Sequence, residues 1–230
     1  MRDDSGINLD WRTYSDAGEA LSAPLLKLAN SKAGSVLGIN DLNVLSYFPD
    51  DIEVGSRHGA PRWFPRFHYL LNLTRHTPRD FLRLLDEIRK VAAGSPSGHG
   101  RLSQDVIREG VLKYSADYFT YAIRNEFAGY AEGPAEATLG LRALRSLGEQ
   151  RFSASSLSDR MHELDPGARI NVHRIINMLF FAGAIGNYSS SSRESYVQFY
   201  HRRDDSEVYM SGNLILHNAL AHAWNVRFAS

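Results

Sequence analysis

The amino-acid sequence predicts a mainly α-helical protein that contains a small β-hairpin in its last third. Apolar residues recur at intervals of three and four over several segments, which is the spacing of one buried face of an α-helix. Late in the chain the period becomes two, because Val197 and Phe199 alternate with Tyr196, Gln198 and Tyr200. Clusters of glycine, proline and serine separate these segments. Together the three observations favour a bundle of helices followed by a hairpin.

Net charge, cysteine content and the lack of long apolar runs limit the classes of protein to which this chain can belong. The 230 residues include 26 Lys and Arg against 26 Asp and Glu, so the formal net charge is zero, whereas nucleic-acid binders usually carry a basic surplus. The chain has no cysteine, which excludes disulfides and thiolate chemistry and fits a reducing compartment. The first residues, MRDDSGINLDW, are polar and acidic, and no apolar run approaches the length of a membrane helix. We therefore expect a cytoplasmic protein without membrane contact.

Residues 1–131 are predicted to form a helical domain. Its first helix is expected over Tyr14–Leu28 and a short second helix over Asp41–Leu45. The next segment, residues 46–63, is predicted to be a loop held by aromatic residues and prolines. Helical spacing returns at Phe67.

Two helix starts in this domain carry clear capping signals. Thr77 is a good N-cap, Pro78 suits the first helical position and Asp80 favours the first turn. The apolar stripe of that helix is Phe81, Leu84, Leu85, Ile88 and Val91. Ser103 is the predicted N-cap of the following helix, which we expect to run to about Tyr130.

Residues 132–203 are predicted to form a second domain, since glycines and a proline mark a boundary before it. Helices are expected over Ala135–Leu147, over residues 157–164, and from the N-cap Asn171 to Gly183. Strands over residues 184–188 and 195–200 follow. Three helices and then a β-hairpin is the order of a winged helix, whose third helix usually contacts DNA. Residues 204–230 are predicted to be a loop and a helix, Leu214–Val226, packing on this domain.

Catalytic motifs are missing from the sequence. It has no GxxxxGK[ST] phosphate loop, no GxSxG, no HExxH and no paired-glycine dinucleotide fingerprint. Because these motifs are absent, we expect no enzyme activity and no cofactor. The histidines are not spaced as metal ligands, so we also expect no metal. An unusual enzymatic site around His58, Arg62, His68 and His76 is a less favoured alternative.

The helix start at Thr77 is a candidate phosphate contact. Arg75 and Arg79 lie on either side of it, and both guanidinium groups and exposed N–H groups at a helix N-terminus favour an anion. The alternative is structural, with Thr77 acting only as a cap and Arg79 paired with an acid on the next helix.

The third helix of the second domain carries a polar face. Asn171, His173, Arg174 and Asn177 lie opposite its apolar stripe and suit contacts to bases or phosphates, with Arg169 and Arg193 flanking them. Residues 134–200 include seven Arg against six Asp or Glu, so the net charge of this segment is close to zero. A solvated face or a protein-binding face is an equally open interpretation.

Several segments resemble a known family. They include LSYFPDDI, YLLNLTRHTPRDFLRLLDEI, LSQDVIREGVLKYSADYFTYAIRNE, LFFAGAIGNY and ILHNALAHAWN. Together with LDWRTYSDAGEAL and VQFYHR they resemble the region that follows the ATPase core in largely uncharacterised bacterial AAA- or STAND-like P-loop ATPases. The resemblance extends from Leu9 to Asn225.

The resemblance implies a helical lid followed by a winged helix, with Arg79 as a sensor of the nucleotide's terminal phosphate. The nucleotide-binding core itself is not in this chain. The expectation is a non-catalytic regulatory or interaction module of a P-loop ATPase system, with the core in the same gene or supplied in trans. The alternative is a free-standing winged-helix transcriptional regulator that binds duplex DNA.

Overall fold

A computed structural model describes residues 22–54, 62–95, 100–129, 133–167, 171–190, 195–202 and 206–226. Over these ranges the protein is mainly helical with small antiparallel sheets, as the sequence predicts. None of the helices in the described ranges is both long enough and apolar enough to cross a membrane.

The N-terminal helix extends beyond its predicted end. Helix α1 spans Pro24–Leu37, with the proline at its first position, where its missing N–H is no loss. The predicted start at Tyr14 lies outside the described residues, and the helix continues past the predicted end at Leu28 to Leu37. A 3₁₀ turn at Val44–Tyr47 replaces the short helix predicted from Asp41. Asp41 has a left-handed φ of 59°, and Asn43 caps the turn instead.

The loop predicted over residues 46–63 is wrong in part, because it contains a β-hairpin. Strand β1, Asp51–Val54, pairs antiparallel with strand β2, Arg62–Pro65. The side chain of Gln104 accepts from the Glu53 N–H and donates to the Asp51 carbonyl, which satisfies the outer edge of β1. Neither contact is visible in the local sequence.

The capping predictions for the next helices are confirmed. Helix α2 spans Arg66–Leu71 and α3 spans Pro78–Gly94, where Thr77 Oγ1 accepts from the Asp80 N–H. Helix α4 spans Gln104–Lys113, and Ser103 Oγ accepts from the Val106 N–H. Helices α3 and α4 cross closely at Gly110.

The helix predicted to continue to Tyr130 changes its hydrogen-bonding pattern on the way. A π-helix at Tyr114–Phe119 follows α4, and helix α5 then spans Thr120–Glu126. Tyr114, Phe119, Ile123 and Phe127 are all fully buried. The wider π turn places Tyr118 beside Asp80 of α3 while Phe119 stays in the core.

The second half of the chain has the order helix, strand, two helices and then three strands and a helix. These elements are α6 (Gly133–Leu147), β3 (Arg151–Ser153), α7 (Ala154–Leu164), α8 (Val172–Phe181), β4 (Ile185–Ser190), β5 (Ser195–Gln198), β6 (Asn213–Leu216) and α9 (Asn218–Trp224). The predicted helices and the β4–β5 hairpin are confirmed, and Gly183 adopts the left-handed φ of 77° that suits a helix stop.

The predicted helix Leu214–Val226 is wrong over its first three residues. Leu214, Ile215 and Leu216 belong to β6, which lies between β3 and β4 in a sheet of order β3-β6-β4-β5. All three side chains are buried, and two partner strands satisfy the backbone of this segment. Helix α9 therefore starts only after His217.

One hydrophobic core spans both halves of the described chain. It includes Leu25 of α1, Ile88 of α3, Leu144 of α6, Ile176 of α8 and Leu220 of α9. The segment between α2 and α3 contacts Arg202 in the turn Tyr200–Arg202 and His217 at the start of α9.

Candidate functional site

The segment between α2 and α3 meets the C-terminal half in a polar contact that we call the junction, residues 72–76 against 199–202 and 217. Arg202 donates to Asn72 Oδ1 at 2.8 Å, and His217 Nε2 lies 3.4 Å from the Thr74 carbonyl oxygen. A Cβ built at Gly183 would lie 3.2 Å from the Arg75 side chain. The junction is thus closely packed and holds several ionisable groups.

Arg75 and Asp80 form the main ion pair beside the junction. Arg75 Nε donates to Asp80 Oδ2 at 2.8 Å and its NH1 donates to Glu126 of α5 at 2.8 Å. The Tyr118 hydroxyl donates to Asp80 Oδ1 at 2.9 Å. Burial alone would raise the pKa of Asp80, but the hydrogen bonds and charge of Arg75 outweigh it and lower that pKa. The guanidinium predicted to meet a phosphate therefore already contacts two carboxylates.

Arg79 has the opposite environment. It lies in the first turn of α3, is exposed, and makes no hydrogen bond or ion pair with the residues that the structure describes. The expected alternative, in which Arg79 pairs with an acid on the next helix, is not seen among the described residues, and Glu126 of α5 pairs with Arg75. Of the two candidate arginines, Arg79 is the one that an incoming anion can reach.

Three histidines are packed together in the junction. The ring centroids of His76 and His201 are 5.2 Å apart, and those of His201 and His217 are 5.9 Å apart. Phe199 stacks on His201 and Phe119 stacks on His217. Burial lowers the pKa of His76 and of His217 to about 3, and the charge of Arg202 adds to both effects.

The hydrogen bonding of these histidines differs. His217 Nδ1 accepts from the Ala219 N–H and so caps α9. Both ring nitrogens of His76 and of His201 are buried and have no hydrogen-bond partner among the described residues. No group of three or more histidine, aspartate or glutamate side chains in the described ranges could hold a metal ion.

The enzymatic alternative gains no support from these positions. Arg62 lies exposed on β2, His68 lies in α2, and His76 is buried in the junction. His58 lies outside the described residues.

The polar face of α8 is partly occupied by intramolecular contacts. Asn171 caps the helix by accepting from the Arg174 N–H at 3.0 Å. The Arg174 guanidinium forms a bidentate ion pair with Glu136 of α6, in which Nη2 donates to Oε1 at 2.6 Å and Nε donates to Oε2 at 3.1 Å. His173 is exposed and Asn177 is half-buried, while Arg169 and Arg193 lie outside the described residues.

Sequence reasoning missed an aromatic pair at the end of this face. Phe181 is 55% exposed and Tyr200 is 41% exposed, and their ring centroids lie 4.9 Å apart, edge to face. The available signal was the four-residue spacing between Asn177 and Phe181, because residues four apart lie on the same face of a helix. Phe180 is buried, and Phe181 is left at the surface.

No protein-family model matches the chain, and comparisons with curated proteins and with solved structures also find no match.

Proposed function

We propose that this protein is a non-catalytic regulatory or interaction module of a P-loop ATPase system, and that its second half is a winged helix that contacts a partner protein. The order α6, β3, α7, α8, β4, β5 supports the winged-helix proposal, since it runs helix, strand, two helices and hairpin with α8 in the position of the contacting helix. Strand β6, inserted between β3 and β4, is an addition to that plan.

The contacts on the polar face of α8 are the reason for proposing a protein partner instead of DNA. A duplex-binding helix needs free cations for phosphates and free donors for base edges. Here Glu136 neutralises Arg174, and Phe181 and Tyr200 are exposed at the end of the same face. Exposed aromatic residues on a nearly neutral surface are typical of the centre of a protein interface.

The exposed Arg79 supports the link to a nucleotide-binding partner. The Arg79 side chain is exposed in the first turn of a 17-residue helix, where the helix dipole favours an anion. The sequence contains no phosphate loop of its own, so a P-loop core encoded in the same gene or supplied in trans would bring the phosphate.

The interface is tested by photo-crosslinking in the source cells. Benzoyl-phenylalanine is placed at position 181, and in a matched control at position 121, because Tyr121 is 62% exposed but lies on α5. We expect position 181, and not position 121, to crosslink a protein with a P-loop. Crosslinks at position 181 to nucleic acid, or only to proteins without a P-loop, would contradict the proposal.

Duplex-DNA binding is the second candidate, since His173 points outward on α8 and Arg142 and Arg145 are exposed on α6. It predicts binding in fluorescence anisotropy that weakens steeply with salt and that is reduced in Arg174→Ala. We expect no such binding at low salt.

The isolated protein should also show no ATP turnover, and robust hydrolysis that is abolished by Arg79→Ala would contradict a non-catalytic role.

A further inference from the structure

Two buried rings in the junction lack the hydrogen bonds that buried polar groups normally make. His76 is 7% exposed, and neither its Nδ1 nor its Nε2 has a partner among the described residues, and the same holds for both nitrogens of His201. A neutral imidazole can be tolerated there as a flat, largely apolar ring between Phe199 and its neighbours. A charged imidazolium would have two donors, and in the present geometry neither ring nitrogen has an acceptor among the described residues.

The charged groups around the two rings disfavour protonation from several sides. Burial lowers the pKa of His201 well below its usual value, and the charges of Arg202 in the 3₁₀ turn Tyr200–Arg202 and of Arg75 in the α2–α3 connection lower it further. The charge of Asp80 in α3 counteracts part of the effect of burial on the pKa of His217, but its oxygens already accept from Arg75 and from the Tyr118 hydroxyl.

The other ionisable groups close to the junction do not accept a hydrogen bond from either ring. Glu126 of α5 accepts from Arg75, and the buried Tyr114 of the π-helix contributes a hydroxyl whose pKa burial raises well above its usual value. His217 uses Nδ1 as an acceptor for the α9 cap. In the present geometry none of these groups on the described elements accepts a hydrogen bond from His76 or His201, and the buried Tyr114 hydroxyl also has no partner.

The backbone conformation of His76 is a second reason to expect that the junction opens when the ring is protonated. Its φ of 56° is in the left-handed region, which a non-glycine residue occupies only where the surrounding contacts hold it. If the ring leaves its pocket, this conformation loses its support. The hydrogen bond from Arg202 to Asn72 joins the same two segments, so it would be lost at the same time.

We propose that the junction is an acid-sensitive latch: protonation of His76 and His201 releases the turn Tyr200–Arg202 from the α2–α3 connection while the helices on either side stay folded. The turn follows β5 directly, so opening the latch frees the end of the β4–β5 hairpin and moves Tyr200 away from Phe181. Acid would thereby dismantle the aromatic pair on the surface.

Amide hydrogen exchange followed by NMR tests the latch in the intact protein. The reporters are the Arg202 N–H, which donates to Phe199, and the Asn72 N–H, which donates to His68. Their protection factors, divided by that of Leu144 in the core of α6, should fall at least about tenfold between pH 7.5 and pH 5, because each pH unit below an ordinary histidine pKa favours the protonated open form about tenfold per ring. Unchanged relative protection would overturn the proposal.

Two variants remove the titrating rings with little change in shape. His201→Phe keeps the stack on Phe199, and His76→Asn keeps a residue type that tolerates a left-handed φ. The double variant should lose the acid dependence of the Arg202 and Asn72 amides, whereas His173→Asn, on the exposed side of α8, should retain it in full. An identical acid response in the double variant would contradict the latch.

A measurement on the unmodified protein covers the case in which the double variant does not fold. Histidine ring ¹⁵N shifts should show His76 and His201 neutral at pH 7.5 and still neutral at pH 6. Rings that become charged near pH 6.5 while the Arg202 amide stays protected would overturn the proposal.

Discussion

Arg75 donates to the carboxylate of Asp80 with both its backbone and its side chain, at 3.2 Å from the amide nitrogen and 2.8 Å from Nε. The two residues lie on either side of the N-cap Thr77, so the ion pair closes the chain over the start of α3. The Asp80 side chain is fully buried and that of Arg75 is 13% exposed. This pair determines which of the two arginines at the helix start is available to a ligand.

Removing the Asp80 carboxylate should strongly destabilise the fold. Asp80→Ala leaves a mostly buried guanidinium with only the exposed Glu126 as a charged partner, and breaking a buried pair in this way costs about 3–5 kcal/mol. Urea unfolding followed by circular dichroism measures the loss. The control Glu163→Ala removes the mostly exposed partner of Arg160 and should cost less than about 1 kcal/mol. Equal effects of the two substitutions would contradict the role assigned to Asp80.

The crossing of α3 and α4 should not tolerate a side chain at Gly110. A Cβ there would lie 2.6 Å from the Ile88 Cα, so the backbones would have to separate. We expect Gly110→Ala to lower the free energy of unfolding by about 1–3 kcal/mol, although alanine is the better helix former. Gly94→Ala, whose Cβ meets nothing within 4 Å at the end of α3, should be neutral or slightly stabilising. Thermal unfolding of both variants distinguishes packing from helix propensity.

Glu136 and Arg174 should show a measurable coupling between α6 and α8. The pair is bidentate, with Glu136 11% exposed and Arg174 41% exposed. A double-mutant cycle with Glu136→Gln and Arg174→Gln should give an interaction energy of about 1 kcal/mol. The same cycle for the more exposed Arg160 and Glu163 of α7 should give less than about 0.5 kcal/mol. A coupling near zero for Glu136 and Arg174 would mean that Arg174 is free in solution to contact a ligand.

Stability should fall on acidification because of buried neutral histidines. The pKa of His76 and of His217 is lowered to about 3 by burial, below the ordinary value of about 6.5 in the unfolded chain. A lowered histidine pKa means that the unfolded state binds more protons, so the contribution is complete above pH 6.5 and is lost as pH falls from about 6.5 towards 3. Each of these two histidines should remove up to about 1.4 kcal/mol per pH unit in that range.

The variant His217→Asn separates this titration from packing. Asparagine is also a good N-cap, so α9 keeps its capping group while the titrating ring is removed. At pH 7.5 the loss of the stack on Phe119 should lower the free energy of unfolding by about 1–3 kcal/mol. Between pH 7.5 and pH 5 the variant should lose less stability than the wild type. A wild-type protein whose unfolding midpoint is independent of pH over this range would contradict the prediction.

The local signals in the sequence located most helix boundaries. Thr77, Ser103 and Asn171 were predicted as N-caps, and each accepts a hydrogen bond from the N–H three residues later. A cap depends on the residue and its next neighbours, so it can be inferred without the fold. The winged-helix assignment and the ATPase association remain predictions.

The errors occurred where a segment depends on distant partners. Leu214–Leu216 has the apolar content of a helix or a strand, and it becomes a strand because β3 and β4 lie on either side of it. The hairpin of β1 and β2 was missed for the same reason, since Gln104 lies 51 residues from Glu53 and satisfies its N–H.

The sequence by itself determined the mainly helical class, the helix starts and the hairpin in the second half, because these depend on spacing and capping within a few residues. Only the tertiary structure decided that Arg75 is bound to Asp80 while Arg79 is exposed, and that Glu136 holds Arg174. It alone brought His76 and His201 together and placed Arg202 on Asn72, 130 residues away along the chain. Contacts over such separations arise from how the core packs, and no local pattern specifies which polar groups meet there.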